Sequence, residues 1–259
     1  MEPTWRKKYD TAQPERLEKM RYVELAYRQG ERQHWHAHEQ GQLIFTLKGV
    51  VRVLTERHIW TLAPRRALWL PGGMPHELHA INDVTTHNIY LFPPLTRDFW
   101  YDDVALQVTP LLYELIKSWH QAQQAAELNR VEMSTTLLLD ELHRCPRATV
   151  CMVPLPRDRR VLSVCDTLLG EPENNDTLEN WGNRVGASAR TLARLFRDET
   201  GMGFSQWRQQ LRLAEAVTHL AQGRPINLLA NSLGYQSPSA FIAMFKKTLG
   251  ETPRRYLSC

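Results

Sequence analysis

From Arg21 to Phe92 the chain alternates apolar and polar positions with a period of two. Tyr22, Glu24 and Ala26 alternate with Val23, Leu25 and Tyr27, and short runs follow at Leu43 to Leu47, Val50 to Leu54, Ile59 to Leu62, Ala67 to Leu70 and Ile89 to Phe92. Gly49, Pro64, Pro71, Gly72, Gly73 and Asn82 break the runs, so the pattern predicts short strands closed into an all-β barrel or sandwich. After Pro93-Pro94 the period becomes helical. Leu106, Leu111, Leu112, Leu115, Ile116 and Trp119 fall on one face, then Val131, Thr135, Leu138, Leu139 and Leu142 on the next. Two such helices cover the barrel or pair with a second copy of it. The stretch from Cys145 to Pro156 carries Pro146, Pro154 and Pro156 and no stripe, and it reads as a linker.

Beyond the linker every periodic segment is helical: Arg157 to Leu169, Leu178 to Val185, Ser188 to Glu199, Gly203 to Gln222, Ile226 to Leu233, Ser237 to Leu249 and a last turn at Pro253 to Leu257. Shifting this half on itself by 49 residues superposes Ser188 on Ser237, Leu192 on Phe241, Phe196 on Phe245, Gly201 on Gly250 and Trp207 on Tyr256; the turn glycines Gly186 and Gly234 match with a one-residue slip. Each copy has a short helix, a glycine turn, a serine at a helix start and an apolar i, i+4 pair, which makes two helix-turn-helix units. A connecting helix over 203–222 spans roughly 30 Å at about 1.5 Å per residue. That approaches the roughly 34 Å between successive major grooves on one face of B-DNA.

Composition sharpens this division. The 259 residues carry 32 Lys+Arg and 28 Asp+Glu, a modest net charge of +4. Residues 1–156 hold 18 of each sign, whereas Thr177 to Cys259 hold 11 basic and 5 acidic residues, a net of +6. The excess positive charge therefore lies on the repeat, where double-stranded DNA would meet it. Nine of the ten histidines precede residue 157. No apolar run approaches the roughly 20 residues of a bilayer helix, so no membrane partner is expected. The polar start, Met1 to Glu15, is unlike a secretory signal. Cys145, Cys151, Cys165 and Cys259 form no paired motif and fit thiols in a reducing cytoplasm. Phosphate-binding loops, dinucleotide fingerprints and hydrolase triads are all missing from the sequence.

The run Leu233-Gly234-Tyr235-Gln236-Ser237-Pro238-Ser239-Ala240-Phe241, continuing Phe245-Lys246-Lys247-Thr248-Leu249-Gly250-Glu251-Thr252-Pro253-Arg254-Arg255-Tyr256, closely resembles the C-terminal signature of AraC/XylS-type transcription regulators. Leu192-Ala193-Arg194-Leu195-Phe196 resembles the first half of the same module, and the likeness covers about residues 160 to 257. Carried onto this chain, it places base-facing positions at Arg190, Ala193 and Arg194 in the first recognition helix and at Pro238, Ser239 and Ala243 in the second. Arg197 shares the outward face of the first helix, and Lys246 and Lys247 are the phosphate contacts. Pro238 and Ala243 have no side-chain group that hydrogen-bonds a base edge. The first helix is thus expected to supply most of the direct readout.

In the β half, His34, His36 and His38 alternate with Trp35 and Ala37, which on a regular strand puts three imidazoles on one face; His76 follows the turn at Pro71 to Pro75. The His-x-His pair with a distant His resembles the two motifs of cupin barrels, but Gln42 stands where that family carries a Glu. A metal ion, an organic effector and satisfied core histidines all remain open for His36, His38, Gln42 and His76. No cofactor beyond that is expected.

The reading is an α+β multidomain chain. Residues 1–145 form a cupin-like β-barrel sensor with a helical dimerisation segment, residues 146–156 a linker, and residues 157–259 an all-α domain of two helix-turn-helix units (about 178–199 and 226–249) joined by the long helix 203–222. Such a chain is a cytoplasmic homodimer that binds DNA, answers a small-molecule effector, activates or represses transcription with RNA polymerase as a further partner, and is not an enzyme. The rival is a metal-dependent cupin enzyme with a DNA-binding tail, which the missing Glu disfavours.

Overall fold

The computed structural model describes residues 19–93, 95–233 and 235–258. Met1 to Glu15, the turn glycine Gly234 and Cys259 lie outside them. Among the described residues, ten strands form two five-stranded antiparallel sheets. The first has the order β1 (Met20–Tyr27), β8 (Val84–Leu91), β3 (Gly41–Thr46), β6 (Arg66–Leu70), β9 (Val104–Gln107). The second runs β10 (Cys151–Pro154), β5 (His58–Leu62), β4 (Val51–Thr55), β7 (His76–Ala80), β2 (Arg32–His36).

The period-two pattern sorts side chains between these sheets and their outer covers. Ile44, Leu68 and Leu70 of the first sheet meet Val51, Val53, Trp60, Leu62 and Leu78 of the second in an internal core. The alternate residues Leu43, Phe45, Ala67, Trp69, Ile89 and Leu91 face outward and are covered by α1 (Pro110–Gln124) and α2 (Leu128–Arg144) through Leu112, Ile116, Trp119, Leu138 and Leu142. Thr109 caps α1 by accepting from the Leu112 amide, and Pro110 opens it with φ already set. The outward residues of the second sheet, Ile59, Cys151 and Val153, share a cluster with Trp207, Phe245 and Tyr256 of the C-terminal helices. The layers therefore run helix pair, sheet, sheet, helical module.

The module comprises α3 (Arg159–Gly170), α4 (Leu178–Val185), α5 (Ala189–Thr200), α6 (Phe204–Ala221), α7 (Ile226–Ser232), α8 (Pro238–Leu249) and α9 (Pro253–Leu257). The repeat holds in three dimensions. Leu192, Phe196, Phe241 and Phe245 are fully buried, each such side chain being worth about 1.5–3 kcal/mol of burial. Gly201 and Gly250 close α5 and α8 in the left-handed conformation. At 18 residues, α6 is about 27 Å long.

Three expectations are corrected. Leu106 belongs to β9 and not to the face of α1, because its four-residue segment pairs with β6 before the helix starts. The segment 146–156 is no free linker: Cys151–Pro154 pairs with β5 from Cys151↔Thr61 to Pro154↔His58, its prolines being tolerable on an edge strand. The stripe Leu138, Leu139 and Leu142, on which the expected dimer rests, packs against α1 and the first sheet, with Leu138 and Leu142 buried and Leu139 partly so.

Candidate DNA interface and barrel site

Each helix-turn-helix unit is set by a serine cap. Ser188 accepts from the Thr191 amide at 3.1 Å and Ser237 from the Ala240 amide at 3.2 Å, which fixes where α5 and α8 begin and so which side chains face out. In the first unit Gly182 of α4 presses against the Ala187 carbonyl, leaving no room for a Cβ. Arg190, Arg194 and Arg197 stand exposed along α5, with Ala193 half-buried between them. Arg194 reaches Asp198 at 3.2 Å on the same helix. On α8, Ser239, Ala243, Lys246 and Lys247 are exposed and Pro238 is half-buried at the helix start.

Two members of the basic excess do other work. Arg212 of α6 donates to the carbonyls of Pro172, Glu173 and Asn174, and Arg208 donates to that of Asp176. They pin the α3–α4 loop under the first unit instead of facing DNA.

At the other pole, the inner face of the barrel carries a polar end. His36, His38 and His76 each bring a nitrogen to within 4.8 Å of the others, the one such grouping of His, Cys and acidic residues among the described residues. Their ring centroids are 4.2 Å apart for His36 and His76 and 5.3 Å for His38 and His76. His34 is left out. A register shift in β2 between Gln33 and His36 breaks the strand alternation, so His34 is exposed while His36 turns in. Gln42 joins the group, its Oε1 lying 3.0 Å from His38 Nε2 and its Nε2 donating to Asn88 Oδ1 at 2.9 Å. Burial lowers His76 to about 3, with His36 adding to the effect, and burial lowers His36 as well, so both rings are neutral at pH 7.

Sequence reasoning missed Gln33, Asn88 and Tyr90, which complete this wall. Their signal was available in the inward positions of β8, where Thr86, Asn88 and Tyr90 place polar groups at intervals of two inside an otherwise apolar sheet. His87 is buried beneath α1, stacked 5.0 Å from Phe45 and bonded to the Tyr22 hydroxyl at 2.7 Å.

Residues 21–144 match the AraC-like ligand binding domain family and residues 181–258 match a helix-turn-helix domain family. The HTH-type transcriptional regulator NimR of Escherichia coli K12 is 34% identical over 229 residues, 86% of this chain and 81% of NimR. The chain belongs to the AraC-type transcriptional regulators. RipA of Corynebacterium glutamicum, another HTH-type regulator, is 35% identical over 103 residues, 40% of this chain and 31% of RipA. Among solved structures, unsaturated-fatty-acid-bound ToxT of Vibrio cholerae aligns over 95% of this chain and 97% of its own, at 12% identity and a TM-score of 0.38.

This AraC-type regulator holds its module against the barrel through a polar seam. Arg52 of β4 donates to Glu215 and Thr218 of α6, both at 2.8 Å. Asn82 donates to the Ala221 carbonyl at 3.1 Å, and the Trp207 indole donates to the Pro154 carbonyl at 2.7 Å. Glu199 at the end of α5 accepts from the Arg157 amide at 2.7 Å, so α5 is tied to the residues that follow β10. Beside this junction lies a cleft of about 380 Å³, bounded by Arg57, the 71–75 loop, Tyr101, Asp103 and Arg157.

Proposed function

We infer that this regulator reads a specific operator chiefly through Arg190, Arg194 and Arg197 of α5, while α8 anchors with Lys246 and Lys247 and offers Pro238, Ser239 and Ala243 to apolar and hydroxyl contacts. The observation that carries the reading is the exposure of three arginines on a helix whose start is fixed by a serine cap. Arginine is the side chain best suited to paired hydrogen bonds with guanine, whereas lysine serves phosphate as a point charge. The chain acts by binding, not by catalysis, in the cytoplasm.

A small-molecule effector at the polar end of the barrel, among His36, His38, Gln42 and His76, supplies the signal by favouring one arrangement of barrel and module over another. A second copy pairs through the outer face of the helix pair, where Leu111, Leu128, Met133 and Leu137 are at least half exposed. RNA polymerase then meets a regulator fixed on the promoter. The test is selection of random double-stranded DNA by the purified chain. Enrichment of a motif with two elements about one helical turn apart is the expected result. Recovery of unenriched DNA after repeated rounds overturns sequence-specific binding.

A further inference from the structure

We propose that Asp198 is a positioning residue for base recognition: it holds the guanidinium of Arg194 in one orientation on the outer face of α5, and so sets how strictly one base pair of the operator is read. This role rests on the reading just given of Arg194 as a base contact.

The ion pair stands in an unfavourable place. Arg194 Nη1 donates to Asp198 Oδ2 at 3.2 Å, one turn further along α5, and both side chains are more than half exposed. An exposed pair of this kind contributes little to stability. A carboxylate in the last turn of a helix also opposes the macrodipole, and on a helix that meets DNA it faces phosphate. Stability therefore gives no reason for an acid at this position.

The distribution of acids supplies one. From Thr177 to Cys259 there are five: Glu179, Asp198, Glu199, Glu215 and Glu251. Glu179 lies in the first turn of α4, where a negative charge suits the helix start. Glu199 accepts from the amides of Arg157 and Asp158, Glu215 accepts from Arg52, and Glu251 approaches Arg66 at 3.9 Å. Four of the five thus serve a helix start or the seam with the barrel. Asp198 is the one paired with an outward arginine of α5. The 49-residue shift that superposes α5 on α8 sets Arg194 on Ala243 and Asp198 on Lys247. Where the arginine is absent the acid is absent too, and α8 contains no acidic residue at all.

A loose guanidinium must be ordered when DNA binds, at a cost in conformational entropy. With Nη1 engaged by Asp198, the N–H groups of Nε and Nη2 remain as a parallel pair with no other partner among the described residues. Such a pair matches O6 and N7 of guanine in the major groove. The carboxylate also repels phosphate, the competing partner of a loose arginine. Arg190 and Arg197 carry no ion pair among the described residues, so the restraint singles out Arg194 on this face.

The experiment selects random double-stranded DNA with the full chain as wild type, Arg194→Ala, Asp198→Ala and the double variant. Gel shifts then measure affinity for the selected operator, for operators changed at one base pair and for random DNA. Arg194→Ala identifies the base pair that Arg194 reads, where the wild type discriminates by roughly 5- to 150-fold. Asp198→Ala reduces that discrimination by about 3- to 10-fold, within the coupling usual for residues in contact, and leaves the other positions as they are. Its affinity for random DNA is equal or higher. The double variant discriminates no less than Arg194→Ala alone, because Asp198 acts through Arg194. Asp198→Glu recovers most of the loss, since a carboxylate at i+4 still reaches the arginine. Alanine favours an exposed helix position, and circular dichroism verifies that each variant is folded. A wild type that selects no motif, or an Arg194→Ala variant that relaxes no base pair, overturns the base-contact reading and this role with it. Relaxation by Arg194→Ala with unchanged discrimination in Asp198→Ala overturns this role alone. Equal gains on selected and random DNA in Asp198→Ala, the mark of a removed charge and nothing more, do the same.

Discussion

The guanidinium of Arg66 lies 3.8 Å from the centroid of the Tyr256 ring, and its Nη1 donates to the Tyr256 carbonyl at 3.3 Å. Arg66 opens β6, and Tyr256 sits in the last helix, so the C-terminal end of the chain is held to the barrel. Tyr256 is the repeat mate of Trp207, which grips Pro154. Both copies thus use the same position to dock on the barrel. Arg66→Ala removes a desolvated cation–π contact and strands a buried carbonyl, a loss of about 2 kcal/mol. Urea denaturation measures it, and Arg66→Lys recovers only part, because an ammonium lacks the planar fork.

The Arg52–Glu215 pair reports on the same seam from its opposite edge. Both side chains are under one-fifth exposed. Arg52→Ala and Glu215→Ala are expected to couple by about 1–3 kcal/mol in a double-mutant cycle of unfolding. Additive single losses would mean that the module does not rest on the second sheet in solution.

On DNA, Arg194→Ala is expected to cost about 1–3 kcal/mol on the selected operator and to relax the preference at one base pair. Lys246→Ala weakens selected and random DNA alike and lowers the salt slope by about one. Gel-shift titrations at two salt concentrations separate the two. Equal losses on both DNAs for Arg194→Ala would remove it from base readout.

Gly182→Ala tests the first turn. The added Cβ meets the backbone carbonyl of Ala187, which cannot swing aside as a flexible side chain would. The first unit shifts or loses about 1–3 kcal/mol. Operator affinity falls while the barrel's near-ultraviolet signal is retained.

Asp103 sets an acid limit. Burial alone would raise its carboxyl, but hydrogen bonds from His58, Trp60 and Thr55 outweigh that and hold it below the ordinary aspartate value. A depressed folded-state value means that the contribution is complete above the unfolded value of about 3.9. It is lost as pH falls through the lowered one. Thermal melts from pH 7 to pH 3 should show Asp103→Asn less stable than wild type at neutral pH, with the gap narrowing below about pH 4.

Helix positions in the module were legible because caps, closing glycines and buried i, i+4 pairs all agree there; α4 runs Leu178–Val185 as the pattern alone requires. The short strands were legible where alternation was clean. They were lost where it was not: β9 and β10 have four residues each, too few for a period, and their pairing is decided by β6 and β5 far away in sequence. The histidine cluster was half legible. His36, His38, Gln42 and His76 were readable as a group, but the bulge that ejects His34 and the amide chain through Asn88 depend on which strands become neighbours. Arg208 and Arg212 look like DNA-facing charge in one dimension, and only the fold of the α3–α4 loop shows otherwise.

The placement of β10 also decides how the chain can be divided. A C-terminal fragment beginning at residue 157 would lack the carbonyl that receives Trp207 and would bare the apolar surface shared with Cys151 and Val153. The remaining barrel would keep β10 on its edge with nothing laid across its outer side, an invitation to strand-to-strand aggregation. Chimeras between such regulators should therefore carry β10 and the helical half together from one parent, since the last strand of the receiver is the cradle of the DNA reader.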